Sequence, residues 1–115
     1  MKVSEHSLQV ACFNYFRYVY PSLKLNFYAV PNGGYRAYKT ACFLKAEGVL
    51  SGVPDTFLAV PRKGFHGLYI EFKTKTGLTD NQKEVIKALE AQGYLVAIIR
   101  TVDDFIKTIE SYLND

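Results

Sequence analysis

Tryptophan is missing from this chain, histidine and cysteine occur twice each, and methionine occurs once, at the start. The two cysteines, Cys12 and Cys42, stand far apart and form no Cys-x-x-Cys or Cys/His ligand spacing, which excludes a zinc ribbon or finger. Both fall in apolar helical patterns, where reduced core thiols of an intracellular protein are expected. Met1-Lys2-Val3-Ser4-Glu5-His6 has no apolar signal core, and no run approaches membrane-spanning length. A cytoplasmic protein with no membrane partner and no organic cofactor is therefore expected. Charge of one sign is also scarce in excess: net charge is +3, which permits a nucleic-acid partner without demanding one. There is no internal repeat, low-complexity segment or linker. The 115 residues are expected to form one domain, residues 1–115, large enough for a single core without disulfide or metal staples.

What is abundant is aromatic surface: nine tyrosines and eight phenylalanines. Helix one is predicted from an N-cap at Ser4 to about Tyr18, with Leu8, Ala11, Cys12, Tyr15, Phe16 and Val19 as its apolar stripe, ended by Pro21. Its aromatics, Phe13, Tyr15, Phe16, Tyr18 and Tyr20, surround more of the helix than one core face needs. That excess points to a homodimer involving part of helix one.

The remaining elements follow from pattern and punctuation. Leu25–Val30 reads as a strand, closed by Pro31-Asn32-Gly33-Gly34, and a helix over Arg36–Glu47 stops at Gly48. Asp55–Val60 and Leu68–Lys73 read as the two strands of a hairpin whose turn centres near Gly64. Thr79-Asp80-Asn81-Gln82 has the capping-box pattern of a helix running to about Gln92, with Val85, Ile86 and Leu89 on its apolar face. Leu95–Ile99 is a continuous apolar run, expected to be a strand buried on both faces. Thr101 opens a last helix through Leu113, with Phe105, Ile106, Ile109 and Leu113 facing inward. The order is α-β-α-β-β-α-β-α, and one α/β domain with a mixed sheet flanked by helices satisfies it. The unit from Leu68 to Leu95 is a crossover candidate.

Charged residues rarely sit within a core strand unless paired or bound to a metal. Side chains alternate along a strand, so Tyr69, Glu71 and Lys73 share a face, with the Glu71 and Lys73 Cα atoms about 6.6 Å apart by strand rise. The hairpin brings Asp55 alongside that end. Two converging carboxylates are what Mg²⁺ or Mn²⁺ takes from a protein, keeping waters and phosphate oxygens as its other ligands. A lysine beside such a site can orient or deprotonate a water, or steady developing negative charge; the residues leave these roles open. Read alone, Glu71 and Lys73 would be a surface ion pair of little worth, Asp55 a turn residue, Glu5 a partner of the helix dipole and Gln82 a capping residue. His6 and His66 read as isolated exposed polar residues.

Gly52-Val53-Pro54-Asp55 followed by Glu71-Phe72-Lys73 resembles the Pro-Asp…Asp/Glu-x-Lys signature of the restriction-endonuclease-like nucleases. Glu5 with Gln9, Val30-Pro31-Asn32-Gly33-Gly34 and Gln82 narrow the resemblance to the virus-type replication-repair nuclease family, VRR-NUC, from Glu5 to about Val96. The resemblance implies a restriction-endonuclease-like α/β fold and a Mg²⁺- or Mn²⁺-dependent deoxyribonuclease. It implies catalytic roles for Asp55, Glu71, Lys73 and Gln82. Glu5, Asp55, Glu71 and the Phe72 carbonyl would surround the metal, while Gln82 and Gln9 would support the site through hydrogen bonds. DNA contacts are expected from Gln9, Asn32, Gly33, Gly34, Tyr35, Arg36, Lys39 and Lys75. Single-domain members of this size look like homodimeric endonucleases that resolve four-way (Holliday) junctions, so branched double-stranded DNA is the expected partner. The size fits a phage or mobile element acting in a bacterial cell. The rival reading is a DNA-binding or assembly module of the same fold without turnover. A sequence-specific restriction enzyme is disfavoured because no segment is spare for reading bases in a groove.

Overall fold

Two short β-hairpin strands bring the acidic positions together, and everything else in the fold braces them. The computed structural model describes residues 3–32 and 38–114, with the backbone alone for residues 38 and 39. The elements are α1 (Glu5–Val19), a 3₁₀ turn (Pro21–Asn26), β1 (Phe27–Ala29), α2 (Tyr38–Ala46), β2 (Thr56–Leu58), β3 (Leu68–Phe72), α3 (Asp80–Ala91), β4 (Leu95–Ile99) and α4 (Val102–Leu113). The expected order and the mixed sheet are both present. The sheet runs β1-β2-β3-β4, antiparallel except for the parallel β3–β4 pair that α3 connects.

The hairpin register is fixed by its turn. Lys63 and Gly64 have φ of 55° and 83°, and the Phe65 N–H donates to the Arg62 carbonyl at 2.8 Å. Two successive positive φ values are those of the tight turn whose twist matches flanking strands. Thr56 then pairs with Ile70 and Leu58 with Leu68. A one-residue slip would exchange the faces of the strand, and burial of Leu68, Ile70 and Phe72 forbids it.

Leu68, Ile70 and Phe72 join Leu8, Cys12, Phe13 and Phe16 of α1 and Phe105 and Ile109 of α4 in one core. Helices cover both sides of β3: Phe72 meets the Phe105 ring on one, and the first turn of α3 reaches Glu71 on the other. The Tyr112 hydroxyl, inside this core, donates to the Val60 carbonyl at 2.7 Å. On the Glu71 side of the sheet, Tyr28, Phe57, Tyr69 and Tyr94 form a half-exposed aromatic row, with Phe57 and Tyr69 ring centroids 4.3 Å apart.

Several expectations are corrected. The strand expected over Leu25–Val30 is shorter: Pro21 starts a 3₁₀ turn that runs through Asn26, leaving Phe27–Ala29 extended. The strand expected over Asp55–Val60 is likewise only Thr56–Leu58, the length that β1 and β3 can both pair. Leu95–Ile98 are half-buried and Ile99 alone is buried, because β4 lies at the sheet edge instead of between two strands. On α1 the buried residues are Leu8, Cys12, Phe13 and Phe16, while Ala11 and Val19 are exposed. Phe13 turns inward because Phe27 stacks on it, centroids 4.1 Å apart. Cys12 is a core thiol, pushed by burial up to about 12, but Cys42 is exposed on α2. Tyr112 adds an inward position to α4 that periodicity did not single out.

Candidate active site

Asp55 is the last residue before β2, and the pairing of Thr56 with Ile70, continued by one residue, sets it opposite Glu71. The contacts agree with that register. The Asp55 backbone N–H donates to Glu71 Oε1 at 3.2 Å, and the Phe72 N–H donates to Asp55 Oδ2 at 2.9 Å. Asn32 Nδ2 donates to the other oxygen, Oδ1, at 2.8 Å. Each carboxylate oxygen of Asp55 therefore accepts from a donor and keeps further acceptor capacity.

Glu71 is 4% exposed and Lys73 8%. Lys73 Nζ lies 3.6 Å from Glu71 Oε2, an oxygen that also accepts from Gln82 Nε2 at 3.1 Å. Gln82 is held in turn: its Oε1 accepts the Thr79 N–H at 3.0 Å, and Thr79 caps α3 reciprocally. The capping box thus presents an amide donor to the buried carboxylate, so the structural and the site reading of Gln82 describe one arrangement.

The electrostatics are unbalanced. Burial, and after it the charge of Asp55, push the Glu71 carboxyl up to about 7, against the opposing pull of Lys73 and of the Asp55 N–H, with Glu5 adding a further upward push. Two carboxylates face one lysine there, and the missing positive charge is what a divalent cation would bring. The donor set is all oxygen, the kind a hard cation prefers.

Glu5, Asn32, Ser51, Gly52, Asp55, Glu71, Lys73, Asn81 and Gln82 all line one cleft of about 300 Å³. Among the described residues, no three His, Cys, Asp or Glu side chains gather closely enough to hold a metal ion. Glu5, on the first turn of α1, lines the same cleft, and its charge acts on Glu71.

The VRR-NUC domain pattern matches residues 9–103 of the sequence. The chain belongs to the VRR-NUC domain family. A solved structure described as a VRR_NUC domain protein superposes with a TM-score of 0.84 at 26% identity, covering 98% of this chain and 90% of that one. No curated protein matches the sequence. Membership gives the chain a nuclease-like fold, of a class that acts on DNA.

The VRR-NUC site also depends on Ser51 and Asn81, and on a packing role of Gly52, that the sequence pattern did not single out. Gly52 has φ of +93°, and a Cβ there would lie 2.9 Å from Asn81 Nδ2 and 3.0 Å from the Asn81 carbonyl oxygen. Asn81 Nδ2 donates to Ser51 Oγ at 2.9 Å. Asn81 therefore clasps the loop that leads to Asp55, while its neighbour Gln82 holds Glu71, and the first turn of α3 registers both halves of the site. Only the proximity of Asn81 to the capping box hinted at this. Asn32, expected to touch DNA, donates to Asp55 Oδ1 and so helps position that carboxylate. Gln9 lies outside the carboxylate cleft and lines a groove between α1 and β1. Lys75 is exposed just beyond Lys73. Gly33, Gly34, Tyr35 and Arg36 and the Lys39 side chain lie outside the described residues.

Proposed function

We propose that this VRR-NUC protein is a metal-dependent DNA endonuclease, one domain over residues 1–115, that hydrolyses phosphodiester bonds in branched DNA. The observation that carries the reading is the hairpin register, which sets the half-buried Asp55 and the buried Glu71, both held by donors, against each other with Lys73 Nζ 3.6 Å from Glu71. Asp55 and Glu71 would hold Mg²⁺ or Mn²⁺, with the Phe72 carbonyl and, through water, Glu5 completing the set. When bound, the ion would polarise the scissile phosphate and activate water.

The chain's own residues do the rest. Asn32 and the Phe72 N–H fix the orientation of Asp55, and Gln82 fixes Glu71. Lys73, buried and paired with Glu71, lines the cleft, where it orients the attacking water and steadies negative charge on the phosphate. Such preorganised donors reach full effect because burial keeps bulk water from screening them.

A homodimer would present two such clefts, suited to paired nicks across a symmetric four-way junction. Tyr18, 87% exposed, with Val10 and Val19, 45% and 44% exposed, are the large apolar side chains of α1 open for that contact. The expected result is Mg²⁺- or Mn²⁺-dependent nicking of a labelled four-way junction, abolished in Asp55→Ala and Lys73→Ala variants that still melt cooperatively. Junction binding without cutting under any divalent metal would favour the non-catalytic assembly module instead. Unchanged cutting by both variants would remove the proposed site.

A further inference from the structure

The two carboxylates reach the cleft on separate arms, and one turn of helix holds both. Asp55 arrives on the loop that follows Ser51, and Glu71 arrives on β3. In the first turn of α3, Gln82 Nε2 donates to Glu71 Oε2 at 3.1 Å. Asn81, one residue earlier, donates to Ser51 Oγ at 2.9 Å. The reciprocal cap between Thr79 and Gln82 fixes the turn itself.

The Asp55 arm depends on that grip for its exact reach. At Asp55 the regular ladder stops: its carbonyl accepts the Val30 N–H at 2.8 Å, but its own N–H goes to Glu71 Oε1. Pro54 before it is fully buried, with φ locked by its ring. Gly52 runs so close to Asn81 that a Cβ there would meet the side-chain amide at 2.9 Å and the carbonyl oxygen at 3.0 Å. Ser51 and Gly52 are therefore seated on Asn81, and only Val53 and the rigid Pro54 separate that seat from Asp55.

How firmly two carboxylates are held decides which hard cation they suit. Mg²⁺ demands near-ideal octahedral geometry at about 2.0–2.1 Å, whereas Ca²⁺ accepts flexible geometry at about 2.3–2.6 Å. A pair locked at one separation serves the demanding ion. A pair free to shift penalises that ion and spares the tolerant one.

We propose that Asn81 is a positioning residue that sets the cation selectivity of the cleft, by fixing the reach of Asp55 through Ser51 and Gly52. The inference rests on the metal-dependent reading of this cleft and adds selectivity between small and large divalent cations to it. Gln82 shares the turn but bonds a carboxylate directly, so its loss takes a donor from the site. Asn81 bonds the loop, so its loss shifts Asp55 and leaves the donors Asn32 and the Phe72 N–H in the chain.

The test reads free Mn²⁺ by electron paramagnetic resonance in the presence of the full chain, with Mg²⁺ or Ca²⁺ as competitor and no DNA. The measured quantity is the ratio of the Mg²⁺ to the Ca²⁺ dissociation constant. Asn81→Ala is expected to weaken Mg²⁺ about tenfold, the lower end of what supporting partners of a metal site contribute, and Ca²⁺ by no more than about threefold. Ser51→Ala breaks the same hydrogen bond without altering α3 and should shift the ratio equally. The double variant should shift it no further, because the two side chains act as one contact. Ser51→Thr, which keeps the hydroxyl, should retain the wild-type ratio. Urea denaturation of each variant confirms that the binding is read on folded protein. Equal weakening of both cations in Asn81→Ala would overturn the proposal, as would an unchanged ratio or additive effects of the two substitutions. A wild type that cuts no DNA but binds cations with an Asn81-dependent ratio would sink the nuclease reading and leave the selectivity standing. A wild type that nicks the junction under Mg²⁺, with a ratio indifferent to both substitutions, would do the reverse.

Discussion

Glu71 should make the metal-free protein less stable as the pH rises. Its carboxyl stands at about 7 in the folded chain against 4.5 in the unfolded one. Between those values the folded protein keeps a proton that the unfolded chain has released, so folding is favoured less at each step upward. The penalty is absent below 4.5 and complete above about 7. The gap corresponds to about 3 kcal/mol, at about 1.4 kcal/mol for each tenfold change in acidity. The direct perturbation is Glu71→Gln, which keeps the shape and cannot ionise. Loss of the second acceptor oxygen toward Gln82 and Lys73 gives that variant an offset of its own, but an offset without this pH dependence. The informative quantity is therefore the difference of differences. Urea denaturation in chelator at pH 5 and at pH 8 should show the wild type losing roughly 2–3 kcal/mol more than Glu71→Gln across the interval, the rest of the penalty lying below pH 5. In thermal melts that is on the order of 10 °C for a chain of this size. Mn²⁺ at a hundred times its dissociation constant should return about 2.7 kcal/mol to the wild type at pH 8 and little to the variant. Parallel pH curves for the two proteins would refute the claim that Glu71 is a buried carboxyl carrying an uncompensated charge.

Gly52→Ala should cost on the order of 2 kcal/mol in urea denaturation, from the positive φ and the collision with Asn81, and should weaken Mn²⁺ binding in calorimetry because the displaced loop carries Asp55. An unchanged melting curve would show that the loop has room the contact distances deny. Gln82→Ala should lose about 1 kcal/mol of stability from the capping box and, separately, about tenfold in Mn²⁺ affinity from the lost donor to Glu71. Equal loss of stability with unaltered metal affinity would reduce Gln82 to a capping residue.

Most of the elements and their order were legible because local rules agreed with the tertiary outcome. Ser4 and Thr79 cap helices, Lys63-Gly64 makes the turn, and the alternation of Leu68, Ile70 and Phe72 with Tyr69 and Glu71 assigns the two faces of β3. The expected convergence of Asp55 and Glu71 needed only that alternation and the turn position. The failures were those of context. A continuous apolar run is the same sequence whether its strand lies inside a sheet or at its edge, so the pattern of Leu95–Ile99 predicts burial on both faces that the edge position does not provide. Nor does helical spacing reveal which strand lies alongside, and Phe27 decided that Phe13, not Val19, would be covered.

The sequence by itself set two acids and a lysine at strand spacing at one end of the two central strands, because side-chain alternation and a tight turn are local properties. Tertiary structure alone decided how those groups are held and how unevenly they are charged. Burial of Glu71, the reach of Asn32 to Asp55 and the grip of Asn81 on Gly52 all join segments distant in the chain. Desolvation and through-space charge depend on what packs around a carboxylate, and no spacing along the chain encodes that.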